Sequence, residues 1–255
     1  MLKIIIHGLG RLGRSVHELA ATGHEFRVVA GIDIFDPAPA IDDFNFPVYA
    51  NLADCKEAAA VVVDCSVAPA VSGLITRALA KKMPVVVCTT ALDDATMDVI
   101  HAAARDIPIF LSANMSLGIH LMSRLSQMAA KALAGAGFDI EIIEKHHSGK
   151  VDAPSGTANV LAAGIIDVLG DKKPNLVYDR SGRRQKRPSA EIGMHSIRGG
   201  SMVGEHIVLF AGEGETLEIT HAATSREIYA RGILRAAKLV VAKPAGLYGM
   251  DDLLT

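Results

Sequence analysis

The sequence predicts an α/β protein in which a parallel, helix-covered sheet precedes an α+β unit with a mixed or antiparallel sheet. Three observations carry that reading. The first half alternates short β-branched runs with helical patterns. Those runs are apolar throughout, as in strands buried on both faces. After about Ala113 come longer helices and alternating strands separated by Gly-rich turns.

The elements follow in order. Lys3–Ile6 reads as a strand ending at Gly8, and Leu12–Thr22 as a helix stopped by Gly23. Arg27–Ile32 and Ala60–Cys65 are further strands, the latter leading into a helix over Pro69–Lys82 with its proline in the first turn. Strand Pro84–Cys88, helix Ala95–Arg105 and strand Pro108–Leu111 continue the right-handed βαβ pattern. Then Ser116–Leu133 is one long helix, Phe138–Lys145 an alternating strand and Pro154–Leu169 a helix. Asp179–Glu191 is polar and basic. Ile192–Ile197, Val203–Phe210 and Thr216–Thr220 read as neighbouring antiparallel strands, and Ser225–Ala242 as the closing helix.

At roughly 150 residues per domain, 255 residues make one large or two modest domains. Half the residues are hydrophobic, which excludes disorder. A net charge of -2 argues against nucleic acid or an anionic membrane as partner. The five Lys/Arg of Arg180–Arg187 then read as a solvated loop, one that could also serve as a lid. Cys55, Cys65 and Cys88 form no CxxC pair and lie near apolar runs. They read as buried free thiols in a reducing compartment, with neither metal nor disulfide. No stretch approaches the ~18 apolar residues of a membrane helix, and the apolar start is too short for a signal peptide. A soluble, cytoplasmic protein is expected.

His7-Gly8-Leu9-Gly10-Arg11-Leu12-Gly13 contains GxGxxG between a strand and a helix. Glycines there permit a tight turn and close backbone approach to a pyrophosphate, which the free amides of the helix start can bind. Asp33 stands 20 positions after Gly13, where a carboxylate accepts from an adenosine ribose hydroxyl. It would repel a 2′-phosphate, and Ile34 offers no compensating charge, so NADH is favoured over NADPH. This is a Rossmann-type dinucleotide site. Arg11 is as well explained by solvation as by a phosphate contact. Cys88-Thr89-Thr90 and Ser112-Ala113-Asn114-Met115-Ser116 lie at predicted carboxyl ends of strands, where small polar residues suit a nicotinamide. Thr90 and Ser116 could also cap the next helix.

Glu144-Lys145-His146-His147-Ser148-Gly149-Lys150-Val151-Asp152-Ala153-Pro154-Ser155-Gly156-Thr157-Ala158 concentrates titratable groups before a helix. Burying two histidines, a lysine and an aspartate together is costly without a purpose. Ser155–Thr157 offers hydroxyls and amides at a helix start, an anion site suited to a carboxylate. Asp152 reads as either an N-cap or a partner of Lys150. A metal site lacks a third ligand at zinc-like spacing.

This segment resembles the signature of the 4-hydroxy-tetrahydrodipicolinate reductase (dihydrodipicolinate reductase) family of lysine biosynthesis. Gly10-Arg11-Leu12-Gly13, Thr89-Thr90 and Asn114-Met115-Ser116 resemble its cofactor loops. His195–Gly200, Gly204-Glu205-His206 and Thr220-His221 through Ser225-Arg226 resemble its later motifs. Two positions depart: His7 stands where many members carry the first glycine of their loop, and Cys88 where glycine often precedes the threonines.

The resemblance implies reduction of 4-hydroxy-tetrahydrodipicolinate to tetrahydrodipicolinate by NADH or NADPH, with loss of water, in the diaminopimelate route. It implies His146 as general acid, Lys150 as a second proton donor and stabilising charge, and His147, Gly156 and Thr157 as ligands of the dicarboxylate substrate. Gly8, Gly10, Arg11, Leu12, Gly13, Asp33, Cys88, Thr89, Thr90, Ser112, Ala113, Asn114 and Met115 are the expected cofactor residues. Which of His146 and Lys150 delivers the proton stays open, as does Arg198: substrate contact, hinge or assembly. A homotetramer is implied, with residues 1–115 and 227–255 holding the dinucleotide and 116–226 serving substrate and assembly. Two rivals stand beside this: another dehydrogenase sharing the glycine loop, and a non-catalytic nucleotide sensor. Neither accounts for the clustered His146, His147 and Lys150.

Overall fold

The structure, a computed structural model, describes residues 1–33, 44–170 and 174–254; Ile34 falls outside them. The chain divides into two compact units, Met1–Leu117 with Glu227–Thr255, and Gly118–Arg226.

In the first unit seven parallel strands run in the order β12-β6-β5-β4-β1-β2-β3. They are β1 (Leu2–His7), β2 (Phe26–Ile32), β3 (Val48–Tyr49), β4 (Val61–Asp64), β5 (Val85–Val87), β6 (Pro108–Leu111) and β12 (Gly246–Tyr248). Helices α1 (Arg11–Thr22), α2 (Ala68–Ala80), α3 (Asp94–Ala103) and α6 (Glu227–Val241) cover them. Strand alternation decides the layers. Ile4 and Ile6 pack with Val16 of α1 and Ile233 and Val240 of α6, while Ile5 packs with Val71 and Ile75 of α2 and Ile100 of α3. Both faces are thus dry, which explains the unbroken apolar runs. The two- and three-residue strands β3 and β12 are too short to leave a periodic signal. Asp93 caps α3, its carboxylate accepting from the Thr96 N–H, so Thr90 does not.

The second unit has α4 (Leu117–Leu133), β7 (Asp139–His146), α5 (Gly156–Leu169), β8 (Asn175–Val177), β9 (Glu191–Arg198), β10 (Gly204–Ala211) and β11 (Thr216–Ala223). Its sheet runs β11-β10-β7-β9-β8. This corrects the expected row of three antiparallel neighbours. β10 pairs antiparallel with β11 and β7, but β9 lies beyond β7 and pairs parallel with it and with β8. The glycine turn after β9 does not close a hairpin. It crosses the end of β7, where the Gly199 N–H donates to the His146 carbonyl and the Ser148 N–H to the Gly200 carbonyl. Gly200 has φ +52, a left-handed conformation suited to glycine. Ile142, Leu161, Ile165, Met194 and Phe210 fill the core.

The basic loop is held rather than free. Arg180 and Arg183 pair with Glu191, and Arg187 with Asp139 and Glu141. Arg187 therefore docks at the start of β7, at the opposite end of that strand from His146, which removes the lid reading.

Backbone packs directly on backbone where α6 meets the loop after β6. A methyl group on Gly232 would sit 1.7 Å from the Met115 carbonyl oxygen. Gly232→Ala should therefore cost about 3 kcal/mol through overpacking. Urea denaturation of the two proteins measures it, and equal midpoints would contradict this contact.

Candidate functional site

The second unit's site grows out of one strand. Ile140, Ile142, Glu144 and His146 form the row of β7 that faces the core side. Where the apolar part of that row ends, the same geometry buries Glu144 and His146. Register then assembles their partners. Opposite Glu144 stand His206 on β10 and Ser196 on β9, and opposite His146 stands Arg198.

Glu144 is 1% exposed and surrounded by donors. Arg198 grips it with both terminal nitrogens, at 2.8 and 2.7 Å. The Ser155 N–H donates to it at 3.2 Å, and His146 Nδ1 lies 2.5 Å away. Burial alone would raise its pKa, but hydrogen bonds from Arg198, Ser196 and His146, together with the Arg198 charge, bring it down to about 2. Arg198 also donates to the carbonyls of Ile197 and Asp152. Its guanidinium is thus engaged in holding Glu144 and the loop, which makes it a positioning residue.

His146 is fixed at Nδ1 by Glu144, and Nε2 is the nitrogen that pairing leaves for chemistry. The ring lies against Gly204, where a methyl group would come within 3.0 Å of Nε2. His206 stands edge-on to it, centroids 5.2 Å apart. Burial, and then the neighbouring His146, lower the pKa of His206 to about 4. It is therefore neutral near pH 7. Ser155 Oγ, 3.0 Å from His206 Nε2, also caps α5 by accepting from the Ala158 N–H. Ser155 is the N-cap, and Gly156 and Thr157 open the helix. Asp152 is instead the partner of Lys150, whose Nζ donates to both its oxygens at 2.7 and 2.9 Å. His147 Nε2 lies 3.3 Å from Arg226. The unit thus brings His146, His147, Lys150, Gly156 and Thr157 onto one strand end, one loop and one helix start.

In the first unit the glycines are sterically required. Gly8 has φ +87, and a methyl group there would meet the Cys65 carbonyl at 2.7 Å; one on Gly13 would meet the Gly8 carbonyl at 2.0 Å. Gly10 caps α1 with its side-chain position open. That cradle fits a pyrophosphate on the α1 amides. Asp33 Oδ2 accepts from the Leu9 N–H at 2.8 Å, bracing the turn. Arg11, Thr90 and Ala113 are exposed. Ser112 Oγ donates to the Asn114 carbonyl, and Asn114 Oδ1 accepts from the Ser116 N–H. Cys88 and Met115 are buried in the core, which leaves their backbones to a ligand, and Leu12 is partly buried against it. Burial raises the Cys88 thiol well above its ordinary range.

The residues that sequence reasoning passed over are Glu144 and His206 as members of the site, and Arg198 as a clamp. A signal for Glu144 existed: a charge in the two-residue register of Ile140 and Ile142 must be buried, and a buried charge needs partners.

Residues 2–115 match the family model for the N-terminus of dihydrodipicolinate reductase, and residues 118–254 that for its C-terminus. The chain is 46% identical over its whole length to the 4-hydroxy-tetrahydrodipicolinate reductase of Caldanaerobacter subterraneus, covering 98% of that protein. It is 44% identical over its whole length to that of Exiguobacterium sibiricum, covering 97% of it. A dipicolinate-bound dihydrodipicolinate reductase from Paenisporosarcina shares the fold, with TM-score 0.82 and 24% identity over 100% of both chains.

Acid unfolding should pass through two windows. His206 titrates at 6.5 in a free chain and at about 4 when folded. Folding keeps it neutral, so stability present above 6.5 declines as pH falls to 4. Glu144 titrates at 4.5 free and about 2 folded, so its contribution is complete above 4.5 and is lost as pH falls towards 2. Urea midpoints from neutral to acid pH should flatten in the upper window for His206→Gln and in the lower for Glu144→Gln. Glu144→Gln should also cost about 3 kcal/mol near pH 7, because Arg198 loses its counter-charge. Unchanged acid limbs would refute these assignments.

Proposed function

The chain belongs to the dihydrodipicolinate reductase family and is an NAD(P)H-dependent oxidoreductase, and we propose how its residues divide the work. It reduces 4-hydroxy-tetrahydrodipicolinate to tetrahydrodipicolinate with loss of water, in the diaminopimelate route of lysine biosynthesis. Full-length identity to curated reductases carries that conclusion.

The first unit, residues 1–115 and 227–255, is the dinucleotide-binding domain, and residues 116–226 are the substrate-binding and oligomerisation domain. Gly8, Gly10 and Gly13 with Arg11 and Leu12 receive the pyrophosphate through backbone amides, and Asp33 the adenosine ribose. Cys88, Thr89, Thr90, Ser112, Ala113, Asn114 and Met115 receive the nicotinamide half, Cys88 and Met115 through backbone. The bound cofactor supplies a hydride. NADH is preferred over NADPH because Asp33 would repel a 2′-phosphate.

Hydride arriving on a conjugated imine leaves electron density on the ring that a proton must quench. His146 is the donor: Glu144 holds Nδ1, so Nε2 carries the proton to be delivered. Lys150, poised by Asp152, supplies positive charge beside a dianionic substrate and its transition state. The Gly156 and Thr157 amides, at the positive end of α5, hold one carboxylate, with His147 as a further ligand. His206 stays neutral, so the pocket gains no second imidazolium beside His146.

The chain works as a homotetramer built through the sheet of the second unit, where Ile197 and Leu217 are exposed. Its partner is a small dicarboxylate rather than nucleic acid or membrane. No helix among the described residues is long and apolar enough to cross a membrane. Three free cysteines suit the cytoplasm.

A coupled assay tests this, with a synthase generating the unstable substrate from pyruvate and aspartate semialdehyde. His146→Gln and Lys150→Met should each lower kcat by about 100- to 1000-fold. NADH affinity should stay within about twofold of wild type, because removing one side-chain contact shifts affinity only where the ligand touches it. A matching loss of NADH affinity would overturn the division of roles. Wild-type kcat/KM should be higher with NADH than with NADPH, and the reverse would overturn the reading of Asp33.

A further inference from the structure

We propose that His7 recognises the adenosine half of the dinucleotide, through the ring nitrogen left free by its pairing with a buried aspartate. This rests on the reading of the first unit as the dinucleotide-binding domain. His7 ends β1, immediately before the glycine turn, and is 7% exposed. Its Nδ1 lies 2.7 Å from Asp64 Oδ1 at the end of β4. Asp64 is 0% exposed. Ser66 Oγ donates to it at 2.5 Å and Thr89 Oγ1 at 2.6 Å. One carboxylate therefore ties together the carboxyl ends of β1, β4 and β5. With Nδ1–H donating to Asp64, an Nε2 that carries no proton is an acceptor. Among the described residues no protein group bonds that nitrogen.

His7 also lines a cavity of about 320 Å³. Ile32, Asn51, Leu52, Val67, Pro69 and Arg77 complete its walls. The position of the cavity selects the ligand half. Ile32 precedes Asp33, pairs with His7 in the sheet, and lies on the β2–β3 side of the glycine turn. In an open α/β sheet that side takes the adenosine, while β5 and β6 lie on the other side of β1. The walls are chiefly apolar, as a base requires, and Arg77 places a cation at the exposed rim. A buried acceptor among the lining groups of such a cavity satisfies an amino or hydroxyl hydrogen of adenosine. Left unmatched by a ligand lacking that hydrogen, it discriminates against it.

Two substitutions separate recognition from support. Asn at position 7 retains a donor near Nδ1, and with it the bond to Asp64, but removes the cavity nitrogen. Gln reaches towards the Nε2 position. Isothermal titration with NADH and with ADP-ribose should show His7→Asn binding both about tenfold more weakly, the worth of one hydrogen bond. Its melting temperature should be unchanged, and His7→Gln should recover part of the affinity. His7→Asn with wild-type affinity for both ligands would overturn the proposal. So would equal loss of affinity and melting temperature in both variants, which would make His7 a support for the fold. Wild-type protein that bound neither NADH nor ADP-ribose would instead refute the dinucleotide reading on which the proposal rests.

Discussion

The carboxylate of Glu144 governs the second unit's site. A charge taken out of water at the end of β7 has to be matched by donors on several elements at once. Arg198 supplies two of them from β9, Ser155 one from the start of α5, and His146 another from the same strand. Each matched donor places something else. Arg198 carries the carbonyl of Asp152, and with it the Lys150 loop. Ser155 sets the first turn of α5, accepting from the Ala158 N–H. His146 is held at Nδ1, which leaves Nε2 outside that pairing. Satisfying a single buried charge therefore places most of these groups.

The first unit uses the same device with a different charge. Asp64 binds β1, the start of the β4–α2 connection and β5 through His7, Ser66 and Thr89. In both units the apolar sheet sets the positions of the strands, and a buried carboxylate at the strand ends sets the loops. Preorganisation of this sort holds reacting groups in place without a cost at the moment of reaction.

Much of this was legible in the sequence. Runs such as Val61–Asp64 can only be strands buried on both sides, and the glycine loop marks the tight turn from β1 into α1 that Asp33 braces. Two features escaped for definite reasons. Strand order in the second sheet depends on β9 pairing with β7 some fifty residues earlier, and a Gly-rich turn looks the same whether it closes a hairpin or crosses a strand. The clamp was hidden because Arg198 and Glu144 are remote in sequence and meet only through that register. Periodicity identifies a buried face, but it does not say which distant arginine answers a charge on it. The basic loop misled in the opposite sense, since its arginines pair with Asp139, Glu141 and Glu191.

The return of α6 to the first unit carries a consequence for synthesis. Ala230, Ile233, Ala237 and Val240 fill the core between α1 and the sheet, and β12 completes the edge beside β6. At roughly 5–20 residues per second, about 5–20 s separate translation of Leu117 from arrival of that helix. Through that interval the apolar face of Ile4, Ile6, Val61 and Val63 has α1 against it but lacks α6, although the intervening unit has all of its own strands. The nascent chain therefore completes its middle before its beginning, and the first unit is the last to close its core.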